Sequence, residues 1–557
     1  MPLASTLFGA ISLDPITTLG TAVALLSSYI FYVAYLHPLY ISPLRHMPGP
    51  PNKSKNNKYN IPFLGLFLDI FTDDVGAPQL EWVEKYGGII SYLGLFNSRR
   101  VFVADPKAIQ HVFNTHSYNY PKSHRTVRLL SEILGFGVLL VEGDVHKKQR
   151  KMLNPAFSVK HIKEMVPLMC NPAELMAKIW LERVDQSEGK SVEFDITTDL
   201  GRATLDIIGL AGFGYNFNAL TEPDNELSVA YRDIFYTGTR LSQFMRAFIP
   251  YYTNLPTSSN TQIWRAVATI DRVSTRLIAE KRAQALTKDP TFGPDGELIE
   301  SRDLMSILIK GNESVGSLED GKLTDTELKD QILTFLAAGH ETTSVTVTWM
   351  LHVLSVNPEI QTRVRNELLT EIGKPQEGKT PSYEALNALP YLNACVKELL
   401  RYIPPVPITS RVAAQDDNIL GYDIPKGTQI FIAPATLHKL KSVYGEDAEE
   451  FNPERWIDPA TSPDGLKTNT KFVTPDMHWA YQPFLTGPRS CIGSKFALIE
   501  TKILMYYILT QLEFYPVPDF KFKKSARITT RPFPGMNLIV KWYNGDSALN
   551  LTLAKEL

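Results

Sequence analysis

The sequence has little cysteine and no excess of charge of either sign. Its 557 residues include 3 cysteines, which stand far apart at Cys170, Cys395 and Cys491. An odd number at wide spacing argues against a disulfide framework and favours a reducing compartment. Lysine and arginine number 57, aspartate and glutamate 59, and the net charge is -2. This balance lacks the basic footprint of a nucleic-acid-binding protein, so we expect no nucleic-acid partner.

Internal repeats and flexible linkers are absent between residues 60 and 545, and the sequence carries no flavin or iron–sulfur motif. The composition, with 44% hydrophobic and 21% charged residues, is typical of a globular protein with a large core. We therefore predict one large domain over residues 60–545 and a C-terminal tail over 546–557.

An uncharged, apolar segment at residues 16–36 is long enough to span a bilayer. A signal peptide is the alternative, but Asp14 is the only charge before the segment, so a basic n-region is missing. We predict a membrane anchor over 1–44, with a transmembrane helix at about 16–36, and a basic, proline-rich hinge over 45–59. By the positive-inside rule the domain is expected to be cytosolic. The basic residues on which this rests are Arg45, Lys53, Lys55 and Lys58.

A short stretch near the C-terminus carries the clearest chemical signal. It reads Phe484-Leu485-Thr486-Gly487-Pro488-Arg489-Ser490-Cys491-Ile492-Gly493. An apolar run with helical spacing follows over 492–512, so Cys491 stands where a loop enters a helix. The helix N-terminus and the nearby Arg489 both favour the thiolate form of Cys491. A buried structural cysteine is the alternative for such a residue considered alone.

This stretch resembles the haem-binding loop of the cytochrome P-450 family, whose pattern is F-x-x-G-x-R-x-C-x-G. Every specified position matches, while Leu485 stands where the family usually has a small residue. The resemblance implies that the Cys491 thiolate is the axial ligand of a haem b iron. It also implies that Phe484, Arg489 and Gly493 contact the haem.

A capping box at Thr324 and Glu327 predicts the start of a helix that continues to about residue 356. Glycine and paired threonines, which are poor helix formers, occur at its middle in the segment 338–343. The segment is similar to the family motif A-G-x-[DE]-T-T. This similarity implies that Thr342 handles dioxygen and that Glu341 is the acid beside it. We interpret His340 as a packing or solvent-facing residue and not as a ligand.

Two other segments resemble parts of the family that surround the haem. The helix predicted at 144–152 carries His146 and Arg150 on one face, where the family has W-x-x-x-R. The resemblance implies that both donate hydrogen bonds to the haem propionates. It implies the same role for Arg411, on the strand predicted to begin at Thr409.

A structural motif of the family is also matched. Glu398 and Arg401 correspond to its E-x-x-R, and Arg455 to the arginine that joins them from downstream. A Glu–Arg pair three residues apart forms on many helices, so the pair alone says little. The resemblance implies a buried cluster that braces the loop carrying Cys491.

These motifs follow one another in family order from residue 146 to 493. They imply a mostly α, α+β cytochrome P-450 fold: a large helical haem domain with small β-sheets, behind an N-terminal transmembrane helix. They imply a monooxygenase that inserts one oxygen atom of O2 into a C–H bond of a lipophilic small molecule. His146 in place of tryptophan, together with Asn154-Pro155-Ala156-Phe157, resembles fungal members, many of which act in secondary-metabolite biosynthesis.

By the same resemblance, electrons come from NADPH through a separate NADPH–cytochrome P-450 reductase. The expected location is the endoplasmic reticulum membrane, as a single-pass protein with a cytosolic catalytic domain. A basic surface that includes Lys147, Lys148 and Lys151 either docks the reductase or is simply solvated.

Several alternatives stay open at this stage. The chain could instead be a reductase-independent haem-thiolate isomerase or dehydratase, although Glu341 and Thr342 argue against this. It could also be a membrane-tethered haem protein without turnover. The region 231–252 is rich in aromatic residues, which either pack in the core or cover the substrate pocket.

Overall fold

A computed structural model describes most of the chain. The described residues are 15–52, 63–70, 74–187, 191–222, 224–236, 238–249, 251–286, 303–316, 321–458, 460, 469, 475–526 and 528–543. The predicted C-terminal tail and residues 53–59 of the predicted hinge lie outside these ranges.

Helices make up most of the described chain. In order they are α1 (Pro15–Phe31), α2 (Phe67–Ile70), α3 (Ala77–Tyr86), α4 (Pro106–Gln110), α5 (His124–Leu134), α6 (Gly143–Leu153), α7 (Val159–Asp185), α8 (Ile196–Ile207), α9 (Glu226–Tyr236), α10 (Arg240–Phe248), α11 (Ser258–Leu286), α12 (Leu304–Glu313), α13 (Asp325–Ser355), α14 (Pro358–Glu371), α15 (Tyr383–Asn387), α16 (Pro390–Tyr402), α17 (Pro434–Leu437), α18 (Lys441–Tyr444), α19 (Pro475–Ala480) and α20 (Ser494–Leu509).

The strands are short and form small sheets. They are β1 (Ile89–Leu93), β2 (Arg99–Val103), β3 (Ser191–Asp195), β4 (Thr409–Val412), β5 (Asp417–Ile419), β6 (Tyr422–Ile424), β7 (Gln429–Ile432), β8 (Leu512–Pro516), β9 (Lys523–Ala526), β10 (Thr530–Phe533) and β11 (Asn537–Trp542). One sheet has the order β1-β2-β7-β4, a second β3-β11-β8, and two hairpins join β5 with β6 and β9 with β10. The predicted α+β class, with small sheets beside a helical domain, is confirmed.

Helix α13 runs through the core and organises the helices around it. The predicted capping box is present: the Thr324 hydroxyl accepts from the Glu327 N–H at 3.2 Å, and the Glu327 carboxylate accepts from the Thr324 N–H at 2.8 Å. Most of its side chains are buried, and it packs against α5, α8 and α20. Pro358 begins the next helix at its first turn, where a missing N–H costs nothing.

The N-terminal apolar helix is longer than the sequence predicts. Helix α1 continues into a π-helical stretch, Tyr32–Ile41, and the span Ile16–Ile41 is long and apolar enough to cross a membrane. Its first part is exposed, whereas its last turns contact the domain. The Asn97 side chain donates to the Ala34 carbonyl at 3.0 Å, and Arg99 donates to the Pro38 carbonyl at 2.5 Å.

The described part of the predicted hinge packs on strand β1. The Ser91 N–H donates to the Pro48 carbonyl at 2.8 Å. Gly49 lies so close that a Cβ there would be 2.0 Å from the Ser91 carbonyl oxygen. Met47 is buried. The chain therefore follows a defined path along the domain between the apolar helix and Pro50.

A buried carboxylate joins α16 to the segment 451–456. Glu398 is fully buried and accepts from Nε and Nη2 of Arg401 at 2.8 and 2.7 Å. From the later segment, the Asn452 N–H and the Trp456 indole donate to it at 2.8 Å, and Arg455 donates at 3.3 Å. The structure thus brings together the three residues of the predicted cluster, and it adds Asn452 and Trp456 as donors that the sequence does not reveal.

The two arginines extend this network to neighbouring backbone. Arg401 donates to the His438 carbonyl at 2.7 Å, and Arg455 donates to the Tyr444 carbonyl at 2.6 Å. Arg455 also pairs with the Asp447 carboxylate at 2.8 Å. Because each charge is hydrogen-bonded, the burial of these ions is compensated.

The network reaches the approach to the Cys491 loop through aromatic rings. The Tyr481 ring lies between Trp456 and His438, with centroid distances of 5.1 and 5.3 Å, and its hydroxyl donates to the Lys397 carbonyl at 3.0 Å. The Gln482 N–H donates to Nε2 of His438 at 2.8 Å. Burial and the nearby Arg401 lower the pKa of His438 to about 3, so the imidazole is neutral and Nε2 can accept.

We expect Glu398→Gln to lower the free energy of unfolding by about 3–5 kcal/mol, because it leaves Arg401 and Arg455 buried without their shared counter-charge. Denaturant unfolding and the yield of haem-loaded protein measure the effect. Glu449→Gln, at an exposed position, is the matched control and should stay within about 0.5 kcal/mol of the parent protein. Equal stability of Glu398→Gln and the parent would contradict the bracing role.

Candidate active site

Cys491 lies between a tight turn and a helix, as the sequence predicts. The turn is Gly487–Arg489, and Gly493 is the N-cap residue of α20. The Cys491 N–H donates to the Phe484 carbonyl at 2.8 Å and closes the loop. Gly487 has a φ of +76°, and a Cβ there would lie 2.0 Å from the Phe113 carbonyl oxygen. Only glycine fits at this position.

Leu485, the departure from the family pattern, has a φ of +55°. This left-handed backbone conformation costs a residue with a Cβ roughly 1–2 kcal/mol relative to glycine. The Leu485 side chain packs on the cluster of apolar residues around strands β1 and β2. That packing offsets part of the cost. The left-handed backbone conformation is the physical reason why a small residue is usual at this position.

The core is interrupted by an accessible region beside Cys491. On the buried helix α13, Ala338, Gly339 and Thr342 are solvent-accessible. They share one face because Thr342 lies four residues after Ala338 and three after Gly339. Cys491 is itself exposed. Phe157 contacts both the Cys491 loop and α13. It lies 3.9 Å from a Cβ built on Gly493, and its ring packs 5.4 Å from that of Phe335 on α13.

The Cys491 side chain is accessible, yet protein atoms surround its sulfur. This burial raises the pKa of the Cys491 thiol, while a hydrogen bond from the Gly493 N–H and the charge of Arg150 act in the opposite direction. A bound metal ion would dominate these influences, because coordination deprotonates a thiol outright. Cys170 and Cys395 are buried free cysteines, and burial raises the pKa of Cys170 to about 12.

Arg489 is held at the centre of a cluster of cations. It donates to the carbonyls of Tyr120, at 2.8 Å, and Ser117, and it pairs with Glu142 at 3.2 Å. Its Nε atom is buried and has no hydrogen-bond partner among the described residues. Lys122 approaches the same carboxylate of Glu142 at 3.3 Å.

The cations of this cluster destabilise one another. Burial and the charge of Arg411 lower the pKa of Lys122 to about 8. Burial and the charge of Arg489 lower the pKa of Arg411 to about 10. Burial, Lys122 and Arg489 lower the pKa of His146 to about 4. Glu142 is the carboxylate that opposes all of these shifts.

A cofactor with carboxylates fits this arrangement. Several cations are crowded around one acid, and a buried guanidinium nitrogen is left without an acceptor. Two added carboxylates would neutralise the excess charge and supply acceptors. The donor set therefore fits haem propionates, and the accessible thiol fits a haem iron.

The three residues predicted to donate to the propionates are near one another, but they contact different partners. Arg150 donates to the Ser490 carbonyl at 2.6 Å and to Asn154 at 3.0 Å. His146 is buried, with Nδ1 3.0 Å from the Tyr118 hydroxyl. Arg411 donates to Thr409 and to the Ser410 carbonyl, both at 2.8 Å, and lies on strand β4 as predicted. Arg150 thus also holds the loop at the residue before Cys491.

Sequence reasoning missed Lys122, Glu142 and Tyr118. They belong to a segment between α4 and α6 that has no recognisable motif, and only the tertiary structure brings them to Arg489. The charge of Lys122 and the acid Glu142 are common in any loop. No signal in the sequence distinguishes them from solvated residues.

On α13 the predicted catalytic pair points to different surroundings. The Thr342 hydroxyl donates to the Ala338 carbonyl at 2.9 Å and is partly accessible. Glu341 is buried, and its Oε1 accepts from the Thr529 hydroxyl at 2.8 Å and from Arg531. Arg531, on strand β10, was not foreseen from the sequence.

His340 is a packing residue. It is buried, its Nδ1 lies 2.6 Å from the Leu336 carbonyl, and its ring packs 4.7 Å from Tyr231. Tyr231 begins the aromatic region at 231–252, so this end of the region reaches the centre of α13. Further along, Phe244 and Phe248 stack at 4.7 Å, whereas Tyr251 is exposed. Packing therefore accounts for Tyr231, Phe244 and Phe248, while the covering of a substrate pocket by this region stays a prediction.

The predicted basic surface on α6 is partly paired. Lys148 is 3.2 Å from the Glu327 carboxylate and Lys147 is 2.9 Å from Asp144. Lys151 is exposed.

Comparison with known proteins shows the family to which this chain belongs. Residues 56–535 match the family model described as cytochrome P-450. The chain is 36% identical over 513 residues to cytochrome P-450 monooxygenase 205 of Postia placenta, covering 88% of this chain and 90% of that protein. It is 32% identical over 579 residues to cytochrome P-450 monooxygenase ALT8 of Alternaria alternata, covering 93% of each. The chain therefore belongs to the cytochrome P-450 family of monooxygenases.

Proposed function

We propose that this monooxygenase inserts one oxygen atom of O2 into a C–H bond of a lipophilic small molecule, at a haem b held by Cys491. The observation that carries the proposal is the accessible face of α13, at Ala338, Gly339 and Thr342, beside an accessible thiol in an otherwise buried core. When bound, the haem supplies the chemistry that activates dioxygen.

Two groups beside the thiol oppose the effect of burial and stabilise its charged form. Arg150 contributes its positive charge and the Gly493 N–H a hydrogen bond. Arg411, Arg489, His146 and Lys122 would hold the propionates. Phe484 is half-buried and packs on the core beside the thiol. Glu398, Arg401 and Arg455 would keep the loop in place from outside.

Thr342 is suited to handle a proton. A hydroxyl has one donor and two acceptor lone pairs, and the Thr342 donor is used by the Ala338 carbonyl. Its lone pairs are left to accept a hydrogen bond from a partner in the cavity. Glu341, held by Arg531 and Thr529, would complete the path through water on the neighbouring face of α13.

The surroundings of the accessible turn favour an apolar substrate. Ile208 lies 3.0 Å from a Cβ built on Gly339, and Phe335 lies one turn before Gly339 on α13. Fungal monooxygenases among the similar proteins, together with His146, support a role in secondary-metabolite biosynthesis. Electrons would come from NADPH–cytochrome P-450 reductase, because the sequence contains no flavin or iron–sulfur motif.

NADPH consumption separates the proposal from its alternatives. With purified reductase and a substrate, a monooxygenase consumes NADPH and forms oxygenated product. A reductase-independent isomerase or dehydratase would form product without NADPH, and a haem protein without turnover would form none.

We expect Cys491→Ser to lose the thiolate-type Soret band of the reduced carbon monoxide complex, because a hydroxyl cannot replace the thiolate as a soft electron donor. Absorbance spectra of the purified protein measure this. Cys395→Ser, at a buried cysteine elsewhere, is the control and should keep the band. An unchanged spectrum of Cys491→Ser would refute the ligand assignment.

We expect Thr342→Ala to bind haem and substrate and to consume NADPH, but to divert electrons from product to hydrogen peroxide or water, because the acceptor for the proton path is lost. NADPH, peroxide and product are measured on one preparation. Thr342→Ser should restore coupling. Thr346→Ala is the matched control, since Thr346 makes the same type of bond, to the Thr342 carbonyl at 2.7 Å, but is buried. Coupling in Thr342→Ala as tight as in the parent would remove the proposed role.

The proposed topology places the domain in the cytosol at the endoplasmic reticulum membrane. N-glycosylation can report on this topology. The glycosylation sequence Asn312-Glu313-Ser314 is unsuitable, because Asn312 is buried and hydrogen-bonded to Leu323. Gly378→Asn introduces an Asn-Lys-Thr sequence at an exposed turn, where Gly378 has a φ of +73° and nothing lies within 4 Å of an added Cβ. Asparagine tolerates this conformation.

In membranes from expressing cells, the Gly378→Asn protein should remain unglycosylated. Gel mobility with and without endoglycosidase measures this. The same variant behind a cleavable signal peptide is the positive control. A mobility shift without the added signal peptide would place the domain in the lumen.

A further inference from the structure

Two histidines and an aspartate come together outside the haem site. His111, His116 and Asp417 each place a ligand atom within 4.8 Å of the other two. Nε2 of His111 is 2.9 Å from Oδ2 of Asp417, and the two imidazole rings have centroids 4.2 Å apart. All three residues are partly buried, and the side chains of His111 and Asp417 are 20% and 19% exposed.

A π-helical turn aligns the two histidines. The turn is His111–Thr115, and the His116 N–H donates to the His111 carbonyl at 2.9 Å. In an α-helix, residues i and i+4 lie on one face and can share a metal ion. The additional residue in a π-turn brings i and i+5 together instead. The local backbone thus places His116 above His111.

The third residue comes from a different part of the chain and is held in place. Asp417 is the first residue of strand β5. The Tyr120 hydroxyl donates to its Oδ2 at 2.6 Å. Metal-binding carboxylates and imidazoles are usually oriented by such outer hydrogen bonds. Tyr120 therefore acts as a positioning residue for the carboxylate.

One polar atom of the cluster is unexplained by the rest of the protein. Nδ1 of His116 is buried and has no hydrogen-bond partner among the described residues. A buried nitrogen without a partner is destabilising and rare in native proteins, so such an atom calls for an explanation. A metal ion bound to this imidazole would supply one.

We propose that His111, His116 and Asp417 form a binding site for a divalent transition metal ion, with zinc as the reference ion. Imidazole nitrogen and carboxylate oxygen are the ligands that Zn²⁺ takes at about 2.0–2.2 Å. Ligand atoms in a tetrahedral zinc site are then roughly 3.3 Å apart. The distance of 2.9 Å between Nε2 of His111 and Oδ2 of Asp417 would therefore have to increase only slightly. Binding to Nε2 of His111 leaves its proton on Nδ1, and water would complete the coordination.

The site is connected to the haem loop by backbone contacts. Arg489 donates to the Tyr120 carbonyl at 2.8 Å, and Gly487 packs directly on the Phe113 carbonyl, inside the π-turn. A metal ion that fixes His111 and His116 would therefore hold the backbone on which the Cys491 loop rests. Its expected contribution is to slow the loss of haem.

The test uses the full-length, haem-loaded protein without a polyhistidine tag, near neutral pH. The protein is stripped with a chelator, given excess Zn²⁺ alone and freed of unbound metal by gel filtration. Zinc is counted by mass spectrometry and haem by absorbance. We expect one zinc per chain. A parent protein without retained zinc would overturn the proposal.

Variants identify the ligands. His116→Gln and Asp417→Asn should each bind zinc at least about tenfold more weakly, whereas His124→Ala, at an exposed histidine on α5, should bind it as the parent does. The reduced carbon monoxide spectrum confirms that each variant is folded. Undiminished zinc in both variants would overturn the assignment.

A second measurement needs no variant. X-ray absorption at the zinc edge of the parent protein should show nitrogen and oxygen ligands with two imidazoles. A sulfur ligand, or fewer than two imidazoles, would place the ion elsewhere and refute the site. Added Zn²⁺ should also slow haem loss from the parent but not from His116→Gln, and equal slowing in both would contradict the connection to the loop.

Discussion

The loop that carries Cys491 is held in shape by side chains that are distant in the sequence. Within the loop, the Cys491 N–H donates to the Phe484 carbonyl and the Ser490 N–H to the Gly487 carbonyl. The other restraints are external: Arg150 holds the Ser490 carbonyl, and Phe113 lies against Gly487. The buried carboxylate of Glu398 holds the approach to the loop through Trp456, Tyr481 and His438. A short glycine-containing loop with a single helical turn can therefore present a thiol at a fixed position.

The cation cluster and the accessible face of α13 are both features that a bound cofactor would stabilise. Each is unfavourable in the isolated chain. Besides burial, the charges of Arg411 and Arg489 lower the pKa of Lys122, and the charge of Arg489 lowers the pKa of Arg411. Apolar surface at Ala338 meets solvent. A flat, apolar cofactor with two carboxylates relieves both conditions at once. Binding and folding are then coupled, since whatever binds only the native state stabilises it. Stability of this domain and retention of its haem are expected to vary together.

Local signals predicted much of the fold, whereas long-range contacts were hidden. The capping box of α13 is predictable because the residues that form it are neighbours in the sequence. Membership of the family was readable from the motif around Cys491. The partners of Glu341 and Arg489, namely Arg531 and Glu142, were not, because no periodicity relates them. The pairing of His111 with His116 is not predictable for a different reason. A spacing of five residues matches neither an α-helix nor a strand, and only the π-turn brings the two side chains together.

The close contact between Gly487 and Phe113 bears on how the protein is made. The external restraints on the Cys491 loop described above precede it in the chain: Phe113, Arg150, Glu398, His438 and Trp456. On the ribosome, these surfaces emerge before the loop that fits them, and the thiol cannot adopt its final position until they have assembled. Contacts across so many residues form late and slowly. Haem capture is therefore expected to follow the folding of the preceding part of the chain. In the cell, the rate of haem binding then competes with the rate at which the nearly complete apoprotein is lost.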